Sequence, residues 1–313
     1  MTTNNLSFFS DYLVSSLSLS VPLAFAALGG LWSERSGVLN IGLEGMILTG
    51  AFVSAAGVFF SGNVLVGTIA ALIAGGLVGL LHAYLCVTLR VNQLVSGLAI
   101  NLTAGGLTAF WARVVFATGN AQQLQGFTTV GIPVLKDIPI LGPLLFNQDP
   151  IVYFLFLLVP LSTYLLFHSS LGLSLRAVGE YPRAADTAGV SVILFRYTSV
   201  ILSGCLAALG GTYLTLVHIR FFTEGISAGK GFIALAALIF GKWHPVWTFL
   251  ACLLFGATEA LQLRIQAFNL HIPYQLLTIL PYLVALFALV GIAGKSTPPT
   301  ALGIPYIKES RAH

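Results

Sequence analysis

The chain has 313 residues, of which 57% are hydrophobic and only 8% are charged, and its mean hydropathy is +0.93. Its 14 basic and 10 acidic side chains are too few to cover a water-exposed surface of this size, which excludes a soluble globular protein. The net charge of +4 comes from scattered single cations with no basic stripe, so a nucleic-acid partner is not expected. The composition therefore predicts an all-α, polytopic membrane protein in contact with lipid.

Apolar runs of about 20 residues, the length that crosses a bilayer as a helix, predict about nine spans, within a range of eight to ten. The candidate spans are 11–32, 41–60, 64–89, 91–117, 151–168, 197–219, 229–242, 243–262 and 274–293. The seventh is short and flanked by glycine, which predicts a broken or re-entrant helix. Together they predict one transmembrane domain over 1–313.

The cations orient this bundle, because Lys and Arg accumulate in cytoplasmic loops. An external N-terminus and a cytoplasmic C-terminus place nine cations inside and five outside. The nine are Arg35, Arg90, Arg176, Arg183, Arg196, Lys242, Lys295, Lys308 and Arg311. The segment 118–150, first polar and then rich in Gly and Pro, becomes an extracytoplasmic loop suited to a solute-binding protein. The charged segment 169–196 becomes a cytoplasmic loop.

The energy source is not in the chain itself. The Gly-Lys pairs at Gly229 and Gly294 lack the earlier glycine that a phosphate-binding loop requires. The chain therefore uses an ion gradient, works with a separate ATPase, or conducts passively. The three cysteines lie in separate apolar segments without metal-ligand spacing, so no metal and no cofactor are expected.

A short helix is predicted inside the cytoplasmic loop. Pro182 suits its first turn, and Gly189 suits its C-terminal end with a positive φ. From the residues alone, this helix is either a mechanical lever or a solvated connector.

Four segments resemble the nucleoside subgroup of ABC-transporter permeases, within the ribose and branched-chain amino-acid permease family. They are ERSGVLNIGLEGM at 34–46, NQLVSGLAIN at 92–101, LRAVGEYPRAADTAG at 175–189 and GKGFIALAALIFGKW at 229–243, within a match over roughly 10–300. The resemblance implies a second homologous permease subunit, a cytoplasmic ABC ATPase that hydrolyses ATP, and an extracytoplasmic solute-binding lipoprotein. It also implies a location in the bacterial cytoplasmic (inner) membrane and a coupling helix that docks on the ATPase. The coupling residues would be Glu180, Arg183, Ala184, Ala185, Asp186 and Gly189.

Polar groups within the spans are costly, so they are candidates for the translocation pathway. Asn40 precedes Glu44 by four residues, which would place both on one helix face. The full set of pathway candidates, including one aromatic that could stack on a nucleobase, is Asn40, Glu44, Asn101, Phe222, Lys230 and Glu259. The other interpretation is that these groups form hydrogen bonds or packing contacts between helices.

The expected function is that of the permease subunit of an ATP-driven importer for nucleosides or similar small solutes, which an external binding protein delivers. Such a subunit is not itself an enzyme. The main alternative is an ion-coupled secondary transporter with Glu44 or Glu259 as its ion site, and a more distant one is an intramembrane enzyme.

Overall fold

The computed structural model describes residues 2–116, 123–267, 279–280, 283–284 and 297–307. The helices are α1 (Thr2–Arg35), α2 (Leu43–Ser61), α3 (Val64–Ala83), α4 (Gln93–Val115), α5 (Pro150–His168), α6 (Ser170–Glu180), α7 (Pro182–Thr187), α8 (Val192–Tyr213), α9 (Lys230–Phe240) and α10 (Pro245–Ala267). Two π-helical turns, Tyr84–Thr88 and Leu214–His218, continue α3 and α8. The exception to the all-α prediction is a small antiparallel pair, β1 (Val130–Gly131) and β2 (Asn147–Gln148). A 3-10 turn (Leu135–Asp137) and a π turn (Gly142–Phe146) lie between these strands.

Seven helices in the described part of the chain are long and apolar enough to cross a membrane: α1, α2, α3, α4, α5, α8 and α10. They match seven of the nine predicted spans. The predicted span 229–242 is the 11-residue α9, which is about 16 Å long and too short to cross a bilayer core of about 30 Å. The predicted span 274–293 lies largely outside the described residues.

Three helices form the centre of the bundle. In the most apolar stretch of each helix, 78% of the residues of α1 and of α8 are buried, and 61% of those of α2. The helices α3, α4, α5 and α10 lie around them and keep apolar faces exposed. The exposed face of α3 consists of large aliphatic side chains, which suit contact with lipid. They include Leu65, Ile69, Ile73 and Leu77.

Glycine brings the backbones of α2, α3 and α8 into direct contact. A Cβ atom added at Gly50 would lie 2.4 Å from the Cα atom of Ala208, and one at Gly204 would lie 2.1 Å from the carbonyl oxygen of Gly75. No side chain fits at such separations, so these positions require glycine. We call this contact the glycine seam.

The bundle has two distinct ends. One end carries α6 and α7, the last turn of α1 and the C-terminal segment 297–307, joined by backbone hydrogen bonds such as Gly303 N to Gly37 O at 3.1 Å. We call it the α7 end. The other carries the β1–β2 pair and the loop 219–229, and we call it the hairpin end. The predicted external and cytoplasmic loops therefore lie at opposite ends.

Candidate functional site

The helix α2 starts inside the bundle, beside the middle of α8. Asn40, which is fully buried, donates from Nδ2 to Ser203 Oγ on α8 at 2.9 Å. Asn101 of α4 accepts from the backbone N–H of Gly45 at 2.8 Å and donates to the carbonyl oxygen of Ile41 at 2.9 Å. These two side-chain amides therefore hold the turn before α2 and satisfy an N–H group that has no partner within the helix.

The prediction that Asn40 and Glu44 share one helix face is wrong. The helix begins only at Leu43, and Asn40 lies in the turn before it, where its Oδ1 accepts from the N–H of Gly42 at 3.1 Å. Because Asn40 is not part of the helix, its spacing of four residues from Glu44 does not place the two side chains on one face. Asn40 is thus a buried anchor with no surface for a solute in this conformation.

Glu44 caps the short helix α9. Its Oε1 accepts from Ser227 Oγ at 2.5 Å and from the N–H of Gly229 at 2.8 Å, and its Oε2 accepts from the N–H of Gly231 at 2.7 Å. Gly229 and Gly231 flank Lys230, the first residue of α9. A carboxylate at a helix N-terminus is stabilised by the helix dipole and by charge-assisted hydrogen bonds. Glu44 therefore fixes where α9 begins.

A second carboxylate holds the same helix end. Lys230 Nζ contacts both carboxylate oxygens of Glu259 on α10 at 2.8 Å, with side chains that are only 10% and 30% exposed. Placing this cation and carboxylate in a mostly apolar bundle is costly unless they are paired. The start of α9 is thus joined to α2 through Glu44 and to α10 through Lys230.

The polar atoms of these pathway candidates are already engaged. Both oxygens of Glu44, the amide group of Asn101 and the ammonium of Lys230 have partners within the chain. A solute would have to displace these hydrogen bonds. In this conformation these groups position α2 and α9.

An aromatic cluster adjoins a cavity between α2, α3 and α4. The ring of Phe222 meets that of Phe52 edge-on at 5.5 Å between centroids and stacks on Phe116 at 6.1 Å. Phe52 lines a cavity of about 350 Å³, which lies within the usual size range of small-ligand sites. Its lining is mostly apolar and includes Trp111, and the hydroxyls of Thr49, Ser96 and Thr108 beside it are bonded within the chain. Among the predicted pathway residues, Phe222 contacts this cavity through Phe52.

The coupling segment has the predicted limits. The helix α7 runs from Pro182 to Thr187, and Gly189 has a φ of +86°, as expected for a helix-ending glycine. Arg183 and Ala184 are exposed at the α7 end. Both residues also line a groove between α7 and the C-terminal segment 297–307.

Two of the predicted coupling residues face the chain instead. Ala185 is only 4% exposed and packs with Val178 and Val192, so the expectation that it docks on a partner is corrected: it holds α7 to α6 and α8. Glu180 accepts hydrogen bonds from Thr300 in the C-terminal segment. The sequence could not show this because the partner lies 120 residues away.

An ion pair that the sequence analysis missed lies at the hairpin end. Arg113 of α4 donates two hydrogen bonds to Glu224, at 2.7 and 2.9 Å, and both side chains are largely exposed. Hydrogen bonds from the guanidinium hold the pKa of the Glu224 carboxyl below its ordinary value. The pair ties the loop before α9 to α4. Among the described residues, no group of three His, Cys, Asp or Glu side chains is placed to bind a metal.

The comparison with protein families decides the class of this chain. The family model for the permease component of branched-chain amino-acid transport systems matches residues 12–291. The chain belongs to this permease family. It is therefore a multi-pass subunit of a transport system in the cytoplasmic membrane, and as a permease subunit it is not itself an enzyme. Membership also implies that it works with other components of an ABC transporter.

Two relatives match the permease over nearly its whole length. The guanosine ABC transporter permease protein NupQ of Bacillus subtilis is 40% identical over 95% of this chain and 96% of its own. The nucleoside ABC transporter permease protein NupC of Lactococcus lactis is 38% identical over 93% of this chain and 95% of its own. The resemblance to the nucleoside subgroup is thereby confirmed.

A solved structure shares the fold of the permease. It is a metal-chelate type ABC transporter in an inward-facing conformation, with a TM-score of 0.50 and 15% identity over 89% of this chain and 84% of that one. This likeness supports the arrangement of helices described above.

Proposed function

We propose that the permease carries nucleosides inward as part of an ATP-driven importer. It would work with a second homologous permease subunit, a cytoplasmic ABC ATPase and an extracytoplasmic solute-binding lipoprotein. The 40% identity with the guanosine permease NupQ over 95% of the chain carries this proposal. The cavity that adjoins the Phe52–Phe222 cluster supports it, because its mostly apolar lining includes aromatic rings, which suit the flat face of a base.

The geometry disfavours the ion-coupled alternative. An ion site in a secondary transporter needs a carboxylate that can exchange its partner ion. Glu44 is bound by two backbone N–H groups and a hydroxyl, and Glu259 is bound by Lys230. Both carboxylates serve as structural anchors, and the energy source is assigned to the partner ATPase.

The function is tested by uptake into proteoliposomes that contain the permease with its partner subunits and its binding protein. We expect ATP-dependent accumulation of labelled guanosine or adenosine, at least ten times above that of glucose, and no effect of ionophores that collapse ion gradients. Accumulation that continues without ATP and stops with the ionophore would assign the chain to the secondary transporters.

We further propose a topology with the hairpin end and the N-terminus outside and the α7 end in the cytoplasm. Single cysteines at Asn5 and Ser191, in a background without the native cysteines, should respond oppositely to a membrane-impermeant thiol reagent. We expect labelling at position 5 in intact cells, and labelling at Ser191, which is exposed before α8, only after permeabilisation. The reverse pattern would invert the topology.

The helix α7 is proposed to dock on the ATPase through its exposed face. Ala184→Arg adds a long side chain to that face, beside the groove between α7 and the segment 297–307. We expect normal insertion but at least tenfold lower solute-stimulated ATP hydrolysis and weaker ATPase co-purification. Ala185→Arg, one residue later, should instead lower the amount of folded permease, because it forces a cation against Val178 and Val192.

Val134→Arg is the control for this pair, since Val134 is 82% exposed at the hairpin end. It should leave ATPase co-purification unchanged. Equal behaviour of Ala184→Arg and wild type would reduce α7 to an ordinary connector.

A further inference from the structure

The C-terminal segment 297–307 lies across the α7 end of the permease as a strap. The N–H of Ala301 donates to the carbonyl oxygen of Gly179 at 2.9 Å, and the N–H of Gly303 donates to that of Gly37 at 3.1 Å. One segment thus bonds both to the end of α6 and to the turn after α1. We call residues 297–307 the strap.

Side chains fasten the same strap at both of its ends. Glu180 Oε2 accepts from the backbone N–H of Thr300 at 3.0 Å and from its hydroxyl at 2.7 Å. Tyr306 packs on the apolar cluster that buries Ala185 of α7. Because Glu180 and Ala185 lie on either side of the start of α7, the strap holds the coupling helix from one flank.

A buried cation lies beneath the strap. Arg196, at the start of α8, is only 1% exposed, and its Nη1 donates to the carbonyl oxygen of Ile304 at 3.0 Å. Its Nη2 lies against Gly37, where an added Cβ would be 3.0 Å away, and Nε and Nη2 have no hydrogen-bond partner among the residues that the structure describes. The strap covers this guanidinium and accepts its hydrogen bond. The strap is therefore part of the folded bundle rather than a loose end.

Further contacts connect the strap to α9. Leu302 packs against a cluster that contains Trp243. The indole of Trp243 donates to Glu34 at 2.6 Å, and its carbonyl oxygen accepts from Arg35 at 2.7 Å. Trp243 lies in the turn after α9, which ends at Phe240 and whose other end is held by Glu44. A continuous set of hydrogen bonds and packed side chains thus runs from α7 through the strap and the end of α1 to α9.

We propose that the strap is a positioning element of ATPase coupling: it makes α6, α7 and the end of α1 move as one body, so that displacement of α7 reaches α9. This inference rests on the proposed function. It assigns a role to Glu180 that differs from docking on the ATPase, and it adds Thr300, Arg196 and Tyr306 to the coupling unit.

The first test fixes the strap in place. In a variant without the native cysteines, Glu180→Cys and Thr300→Cys are joined by a short, cleavable bifunctional thiol reagent in the assembled transporter. A strap that moves together with α6 should tolerate this bond, so at least half of the nucleoside uptake and of the solute-stimulated ATP hydrolysis should remain. Loss of both activities on crosslinking, with recovery on cleavage, would show that the strap must detach and would overturn the proposal. So would failure of the two cysteines to crosslink.

The second test removes the strap. A chain that ends after Pro299 should still insert and co-purify with the ATPase, but its solute-stimulated ATP hydrolysis should fall at least tenfold while basal hydrolysis remains. A chain that ends after Ile307 keeps the strap and serves as the matched control, with activity expected near that of wild type. Normal stimulation in the shorter chain would refute the proposal, and if that chain does not fold, the crosslinking result decides.

The unmodified complex is measured beside every variant. Absence of ATP-driven nucleoside uptake in all samples, including wild type, counts against the proposed function. A loss of uptake and of stimulated hydrolysis that is confined to the crosslinked sample counts against the proposed role of the strap. Full activity in the chain without the strap does so as well.

Discussion

Replacing Glu44 with alanine is expected to abolish nucleoside uptake and to destabilise the permease. The change leaves the N–H groups of Gly229 and Gly231 and the hydroxyl of Ser227 without their common acceptor. A buried donor without a partner costs about 1–3 kcal/mol, and because this site is only partly buried a total loss of about 3 kcal/mol is expected. Thermal unfolding in detergent should show a Tm lower by at least about 5 °C.

Glu44→Gln separates the charge of this side chain from its shape. The amide has one acceptor oxygen in place of two and presents an NH₂ group to a backbone donor. We therefore expect its uptake and its Tm to lie between those of wild type and those of Glu44→Ala. Glu224→Gln is the matched control, because it neutralises an exposed carboxylate in the same loop region. If Glu44→Ala retained wild-type uptake and Tm, the cap on α9 would have no functional role.

The buried ion pair should show strong coupling between its two members. Lys230→Met leaves the partly buried Glu259 without its cation, and Glu259→Met leaves Lys230 without its anion; each change should cost about 3 kcal/mol and most of the uptake. The double variant should recover most of the stability, because two apolar side chains replace two charges and no unpaired charge remains.

A double-variant cycle at Arg113 and Glu224 provides the comparison. This pair is exposed, at 74% and 45% of the side chains, so solvent should screen it and no measurable coupling in Tm is expected. A Lys230/Glu259 double variant that loses the sum of the two single losses would show that the ion pair is not the unit that holds α9.

Seven of the nine predicted spans coincide with long apolar helices, because an apolar run of about 20 residues is by itself a strong signal. The short α9 was also visible, since its 11 residues lie between Gly229 and Gly241. The shared face of Asn40 and Glu44 was not predicted correctly, because hydropathy does not distinguish the buried turn before α2 from the helix itself. The helix end appears only once the anchors Asn40 and Asn101 are placed in space.

For the candidate site, the sequence indicated which polar groups matter but not what they contact. Glu44 stood out because a carboxylate at membrane depth is costly, but its partner Ser227 lies 183 residues along the chain. The face of α7 was equally hidden, because Ala184 and Ala185 are chemically identical and only packing makes one exposed and the other buried. The strap gave no signal, since most of its bonds come from backbone groups that every residue has.

The glycine seam determines which parts of the permease can change shape. Where the backbones of α2, α3 and α8 touch at Gly50, Gly75 and Gly204, no side chain is present whose rotamer could adjust to a sliding helix. We therefore expect α2, α3 and α8 to move as one rigid unit during transport. Backbone amides along the seam should be the last in the molecule to exchange with heavy water, in the resting state and during turnover alike.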